Sequence, residues 1–385
     1  MIILEVCPYS AGNCGVFNRV WNESKAFKEV GHTVFIFSSN ATKGSDVIAE
    51  PQETRDGIII SRIPFKKLGG ESFMNWNSRW IKEASALNPD VIIVHVYRHL
   101  HTTDAIEIKK AQEKLGKKCA VILVSHAPFI KDDTTRSFFS KMAVKFYDKF
   151  IGPSTLYKFD AIVRVTNWEE PYLLNLGIDK NKIYYIPNVV PEEFFSQSAE
   201  PEINNTCLFL GRVAPVKNIE FILSLAKLTP EINYTIVGPI EDQYMKTLSA
   251  IYPLEDFPKN VTFYGSIDDL AAKIKVIDYH KLFILPSKRE ALPQSLIEAL
   301  ARGKIAICTA TDGAKEIIAS EHNGFICENN TPEEAAEFIR RVISLESNGF
   351  IFDKKVIIDS IKETFSMDIL KTKYNKIFHD IGLIK

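Results

Sequence analysis

The chain has 385 residues, 46% hydrophobic and 25% charged, with 18 glycines and 18 prolines. That composition excludes a disordered, collagenous or disulfide-scaffold protein, and at about 150 residues per domain the length suits two or three domains with a core each. A formal net charge of −1 leaves no global field to draw the chain to nucleic acid or to an anionic bilayer, so any such contact needs a local patch.

The opening residues Met1-Ile2-Ile3-Leu4-Glu5 carry no basic n-region, and no apolar run reaches the roughly 18 residues of a spanning helix. Cys7, Cys14, Cys119, Cys207, Cys308 and Cys327 include no C-x-x-C pair, and most lie in apolar runs. They read as buried free thiols in a reducing, cytoplasmic compartment.

In chain order, strands are expected at Ile2–Cys7, Thr33–Ser38, Val91–Val96, Ala120–Ser125, Ala161–Val165 and Ile183–Ile186. A second series follows at Cys207–Leu210, Tyr234–Val237, Val261–Tyr264, Leu282–Leu285, Ile305–Thr309 and Phe325–Cys327. Most are apolar on both faces, as buried parallel strands are, and helical segments such as Gly15–Glu29, Ile219–Leu228 and Ser295–Ala301 separate them. The fold class is therefore α/β, with repeated βαβ units. The stretch 187–205 breaks the periodicity with Pro, Glu, Ser and Asn, and is expected as a linker. It divides the chain into domains at 1–186 and 206–365, with a C-terminal helix over 366–385. Doubly wound sheets bind ligands beyond the carboxyl ends of their strands, so two such halves predict a cleft lined by strand-end residues.

Three strand ends stand out. Gly12-Asn13-Cys14-Gly15 follows the first strand and opens a helix, a place where backbone N–H groups can approach an anion. The spacing is G-x-x-G, not a dinucleotide fingerprint, and a plain tight turn explains it equally. Gly211-Arg212-Val213-Ala214-Pro215-Val216-Lys217-Asn218 places two cations five residues apart before a helix that Asn218 is expected to cap. The third is Leu285-Pro286-Ser287-Lys288-Arg289-Glu290-Ala291-Leu292-Pro293-Gln294 running into Ser295–Leu300. Pro293 suits a first helical position, and Glu298 shares a helix face with Gln294. A loop carboxylate, backbone N–H groups near Ala291–Gln294 and a second carboxylate thus gather within one turn.

The third stretch resembles the two-glutamate signature of retaining glycosyltransferases with the two-Rossmann (GT-B) architecture, the large fourth family (glycosyl transferases group 1). The resemblance covers nearly the whole chain. Leu208–Asn218 is similar to the family's "hLGR-x-x-x-x-K" element, Tyr185–Val190 to its "IPNGV" strand end with one glycine lost, and Ala306–Phe325 to the element after its glutamate helix. Ala291-Leu292-Pro293 departs from the common "GFG" run, which bears on donor-sugar contacts. The resemblance implies that Arg212 and Lys217 hold the diphosphate of a nucleotide sugar and that Glu290 contacts the donor sugar. It further implies that Glu298 holds the ribose, with Gly211, Ala291, Leu292, Pro293 and Gln294 around the donor and Gly15 closing over its diphosphate. His126, in Ser125-His126-Ala127-Pro128, matches the family's acceptor-side histidine. The partners implied are a nucleotide sugar and a glycan or lipid-linked acceptor, without nucleic acid. No D-x-D metal–diphosphate element occurs, so no metal and no cofactor are expected, and the resemblance implies sugar transfer with retention. Competing readings are a nucleotide-sugar epimerase or phosphorylase of the same architecture, a non-catalytic sugar-nucleotide-binding subunit, and a nicotinamide dehydrogenase, which lacks its glycine fingerprint.

Two further patterns need placing. His95, His99 and His101 have metal-like spacing, but a strand running into a loop would scatter them. Between Lys131 and Lys158, six basic residues face three aspartates, and Phe138, Met142, Phe146 and Phe150 recur every four residues beside Lys141, Lys145 and Lys149. That stripe either packs into the first domain's core or lies on an anionic membrane surface.

Overall fold

The computed structural model describes residues 1–12, 14–67, 74–128, 138–196, 202–253, 256–318 and 322–385, with the side chains of 138–140 set aside. It divides into two compact units, Met1–Asn188 with Met367–Lys385, and Val189–Ser366.

The first unit contains β1 (Ile2–Gly12), β2 (Thr33–Lys43), β3 (Gln52–Arg55), β4 (Ile58–Ile63), β5 (Phe65–Lys67), β6 (Met74–Trp76), β7 (Val91–His95), β8 (Ala120–Val124), β9 (Ala161–Arg164) and β10 (Ile183–Tyr185). Its main sheet runs β10-β9-β8-β7-β1-β2-β4-β3, parallel except for the β3–β4 pair at one edge. Strands β7 and β8 are buried at every position, and their Val/Ile-rich sequences show no alternation because helices cover both faces. The helix Met367–Asp380 belongs to this unit. Tyr374 packs edge-on to Phe27 at 4.9 Å between ring centroids, and Lys371 pairs with Glu29 at 2.8 Å.

The second unit contains β11 (Ile203–Leu210), β12 (Asn233–Val237), β13 (Val261–Gly265), β14 (His280–Leu285), β15 (Ile305–Thr309) and β16 (Gly324–Cys327). Their order, β13-β12-β11-β14-β15-β16, is all parallel and is the 3-2-1-4-5-6 order of a Rossmann sheet. The order reverses between β11 and β14 here, and between β1 and β7 in the first unit. Those two switch points are where ligands collect in such sheets.

Three local expectations are corrected. The helix Gln294–Ala301 begins one residue later than Pro293 allows for a first helical position; Pro293 sits before it with ψ 109°, in extended backbone. Asn218 stands at the start of Ile219–Leu228 but in left-handed backbone, φ 56°, with no capping bond; its amide instead donates to the Pro286 carbonyl at 3.2 Å. Residues 189–196, expected within the linker, pack with the second unit, where Val190 and Phe194 are fully buried; 197–201 lie outside the described residues. All six cysteines are free and buried.

Candidate functional site

In the second unit the loops after β11 and β14 are stitched together. The Lys288 N–H donates to the Val216 carbonyl at 2.8 Å, beside the Asn218–Pro286 bond. Lys217 reaches across to Glu290, Nζ to Oε1 2.5 Å, with both side chains mostly buried. Arg212 is 57% exposed and pairs with Glu241 at 2.6 Å. The Glu290 loop is fixed from behind by the next helix. The Gly313 N–H donates to the Glu290 carbonyl at 3.3 Å, and a β-carbon at Gly313 would stand 2.5 Å from the Ala291 carbonyl oxygen, so only glycine fits.

Glu298 lies inside the helix Gln294–Ala301, buried, with Lys273 Nζ at 3.2 Å. Burial pushes its carboxyl above the ordinary range, while Lys273 and the Gln294 side chain pull it back down. Gln294 also donates to the Val189 carbonyl at 3.1 Å. Gly211 has no room for a side chain larger than its own without pressing the Phe209 ring, at 3.2 Å. Leu292 is buried, while Ala291 and Pro293 complete the loop. Arg212, Lys217, Gly211, Glu290, Ala291, Leu292, Pro293, Gln294 and Glu298 are thus gathered at one switch point. Sequence reasoning missed Glu241 and Lys273, the counter-charges.

In the first unit the loop after β1 needs Gly12 more than Gly15. Gly12 has φ 77°, and a β-carbon there would lie 2.4 Å from the Lys43 carbonyl oxygen, whereas Gly15 opens the helix Gly15–Glu29 with open space beside it. Asn13, between them, lies outside the described residues. The ends of β7 and β8 are strained: Val96 (φ 77°), Arg98 (φ 69°), His126 (φ 57°) and Ala127 (φ 51°) all occupy the left-handed region. Non-glycine residues held there mark sites that the surroundings over-determine. At the β8 end the holding group is Glu169, buried on the capping box Thr166–Glu169, which accepts from the Ser125 hydroxyl at 2.5 Å and from the Ala127 N–H at 2.9 Å. The T-x-x-E spacing signals that box in the sequence.

His126 is half-buried, and its Nε2 lies 2.9 Å from His95 Nδ1. His95 Nε2 lies 2.7 Å from Glu5 Oε2. His101 bonds the His95 carbonyl and stacks on Trp76, and burial drives it down to about 3. His95 and His101 are therefore brought closer than the expected scatter, through packing. Among the described residues, Glu5, Glu23 and His95 form a group with ligand atoms within 4.8 Å of one another. The Arg19 guanidinium, 2.7 Å from Glu23, already supplies the positive charge a cation would bring.

The aromatic stripe does not enter the core. Met142, Phe146 and Phe150 are 54%, 59% and 60% exposed, and Ile151 and Tyr157 are exposed beside them. Residues 131–137 and the Phe138 side chain lie outside the described residues. Arg98 ties this helix to the strand ends, bonding Asp148 at 2.8 Å and the Pro128 carbonyl at 2.9 Å.

The family described as Glycosyl transferases group 1 matches residues 190–358, and Glycosyltransferase Family 4 matches 14–194. The chain is 27% identical over 279 residues to an uncharacterized glycosyltransferase of Methanocaldococcus jannaschii, covering 68% of each chain. It is 25% identical to the Escherichia coli UDP-Gal:alpha-D-GlcNAc-diphosphoundecaprenol alpha-1,3-galactosyltransferase, over 69% of this chain and 74% of that one. Its fold matches a glycosyltransferase crystal structure from Rickettsia africae with TM-score 0.75 at 19% identity, covering 100% of this chain and 99% of the other. With the two matches spanning both units, this chain belongs to the group 1 glycosyltransferases of two Rossmann-like domains.

Proposed function

We propose that the protein transfers a sugar from a nucleotide-diphosphate sugar to a hydroxyl of a lipid-linked glycan, with retention of the anomeric configuration and without a metal ion. The observation that carries this reading is the pairing of Lys217 with Glu290 and of Lys273 with Glu298 around one helix start at the β11–β14 switch point. A diphosphate brings the negative charge to which Lys217 and Arg212 turn, releasing Glu290 toward the sugar. Preorganised cations at the leaving oxygens act where charge develops in the transition state. Glu298 accepts from ribose hydroxyls, and the leaving phosphate oxygen takes the acceptor's proton on the same face. With Glu298 so assigned, no carboxylate pair flanks the bond as in a glycosidase.

A lipid-linked acceptor is supported by the exposed stripe Met142, Phe146 and Phe150 beside Lys141, Lys145 and Lys149, on the unit that carries His126. Apolar side chains enter the headgroup boundary while lysines meet anionic headgroups, which gives this unit a peripheral hold on the membrane surface. The acceptor named for the Escherichia coli relative is likewise a diphosphoundecaprenol lipid.

A panel of nucleotide sugars read by thermal shift identifies the donor, because a ligand of the folded state raises the melting temperature. Product NMR should show the donor configuration kept, and activity should survive EDTA. An inverted product, or activity lost to chelator and restored by magnesium, overturns the mechanism. Flotation with anionic liposomes tests the surface: binding at low salt should disappear when Lys141, Lys145 and Lys149 become glutamate, and unchanged binding removes the membrane contact.

A further inference from the structure

Glu5 on β1, His95 on β7 and His126 just beyond the end of β8 form a continuous chain across three adjacent strands. Glu5 is fully buried; its Oε2 meets His95 Nε2, and its Oε1 has no hydrogen-bond partner. At the other end, His126 Nδ1 makes no hydrogen bond to the described residues. Each of the two gaps in the chain holds one proton, since a neutral imidazole donates from one nitrogen and accepts at the other. Only two arrangements avoid facing N–H against N–H or lone pair against lone pair. With a proton on Glu5, the carboxyl donates to His95 Nε2, His95 Nδ1–H donates to His126 Nε2, and His126 carries its remaining proton at Nδ1. With Glu5 ionised, His95 Nε2–H donates to the carboxylate, His126 Nε2–H donates to His95 Nδ1, and Nδ1 of His126 is a lone pair.

We propose that Glu5 and His95 are positioning residues that set the tautomer of His126, so that gain or loss of one proton at Glu5 switches Nδ1 of His126 between donor and acceptor.

Both buried carboxyls, Glu5 and Glu23, are raised by burial, but Arg19 and the Tyr374 hydroxyl pull Glu23 back down, which favours Glu5 as the site of that proton. On the helix Gly15–Glu29, Arg19 and Glu23 are paired at 2.7 Å, and the Tyr374 hydroxyl from the C-terminal helix donates to the same Glu23 oxygen at 2.8 Å. Glu23 Oε2 stands 3.3 Å from His95 Nε2. Burial and the Glu23 charge hold the Glu5 carboxyl well above its usual range, against the pull of Arg19. Burial with Arg19 and the neighbouring His126 and His101 keeps His95 neutral, and burial with Arg19 and His99 does the same for His126. Cys7, on the same strand as Glu5, is held as a thiol by burial and adds no charge.

The chain stands on geometry alone; its bearing on the acceptor rests on the functional reading above. An N–H at Nδ1 recognises a hydroxyl or ether oxygen of a sugar, whereas a lone pair there recognises only a hydroxyl proton.

The test is ¹H–¹⁵N correlation of imidazole-labelled full-length protein from about pH 5 to about pH 10, where the two tautomers of a neutral histidine are distinguished by their nitrogen shifts. His126 should carry its proton at Nδ1 at the acid end and at Nε2 at the alkaline end, changing together with His95. In Glu5→Gln, whose amide can donate to His95 but never ionises, His126 should keep Nδ1–H throughout, and any change of kcat that accompanies the switch in the wild type should vanish. A His126 tautomer that is the same at both ends in the wild type overturns the proposal, as does an imidazolium formed near pH 6.5. The wild-type titration decides even if Glu5→Gln fails to fold. A switch that turnover ignores would uphold the chain and remove His126 from the acceptor site.

Discussion

The two units place opposite electrostatics at equivalent strand ends. At the β11–β14 switch point the polar groups are formal ion pairs, the exposed Arg212 with Glu241 and the mostly buried Lys217 with Glu290. At β1–β7 and the neighbouring β8 they are buried, mostly neutral and joined by hydrogen bonds, with strained backbone at Val96, Arg98, His126 and Ala127. On the proposed function, the difference follows the chemistry each half would meet. A diphosphate leaving group needs mobile cations whose carboxylate partners it can displace, while a neutral sugar hydroxyl needs fixed, uncharged donors and acceptors. Desolvating a lone charge is costly, so the charges buried in the first unit, Arg19 and Glu23, are paired with each other.

The comparison breaks most readily at Lys217. Lys217→Ala should lower kcat by about 10²–10³, the range for removing one preorganised charge from a developing oxyanion, with the melting temperature little changed. Arg212→Ala, more exposed, should lose less. Steady-state rates at wild-type level in both variants would dissolve the distinction between the units. The glutamates sharpen it. Glu290→Ala should act chiefly on kcat, by about 10-fold to 100-fold, and Glu298→Ala chiefly on donor KM, because ribose contacts are made equally in ground and transition states. The reverse split would exchange their roles.

How much of this was legible depends on the range of the signal. The second unit's sheet could be read strand by strand because buried parallel strands write themselves as unbroken apolar runs; β15 occupies Ile305–Thr309, the same bounds as expected. The β3–β4 hairpin was written in the sequence too, by Asp56-Gly57, whose φ values of 49° and 70° suit a tight hairpin turn, but β3 is exposed at all four positions and has no apolar signature. The motif residues Arg212, Lys217, Glu290 and Glu298 came from local spacing. Their partners did not: Glu241 is 29 residues from Arg212 and Lys273 is 25 from Glu298, and only the folded sheet makes them neighbours. Glu5 and His95 are 90 residues apart, and nothing in either neighbourhood announces the bond. The Phe146 stripe has the periodicity of a core helix, and only the structure shows that its face is left outside.

Glu5 also distinguishes the units through stability. Its carboxyl is held above the usual range in the folded chain, whereas an unfolded glutamate titrates near about 4.3. Between those values the unfolded state binds fewer protons than the folded one, so stability falls as pH rises, by at most about 1.4 kcal/mol per pH unit, and levels once the folded carboxyl ionises. Glu5→Gln lacks this loss. Urea midpoints of variant and wild type should therefore draw apart above about pH 4.3, the variant gaining, and parallel curves would show that Glu5 ionises in the folded state as it does in the unfolded chain.

The smallest expected effect lies at Asn218, where the charged half depends on backbone geometry. Its amide joins the loop carrying Lys217 to Pro286, four residues before Glu290, and its φ of 56° favours asparagine or glycine over other residues. Asn218→Ala loses the bond and places an ordinary β-carbon in left-handed backbone, which together cost about 1–2 kcal/mol. Asn218→Gly loses the bond but relieves the backbone, so its denaturation midpoint should lie between alanine and wild type. Both variants slacken the tie between the two loops, and kcat should fall by less than in Lys217→Ala because the cation itself remains. An alanine variant as stable as the wild type would mean that the Lys288–Val216 and Lys217–Glu290 contacts alone hold the loops in register, and that the asparagine is dispensable to the site.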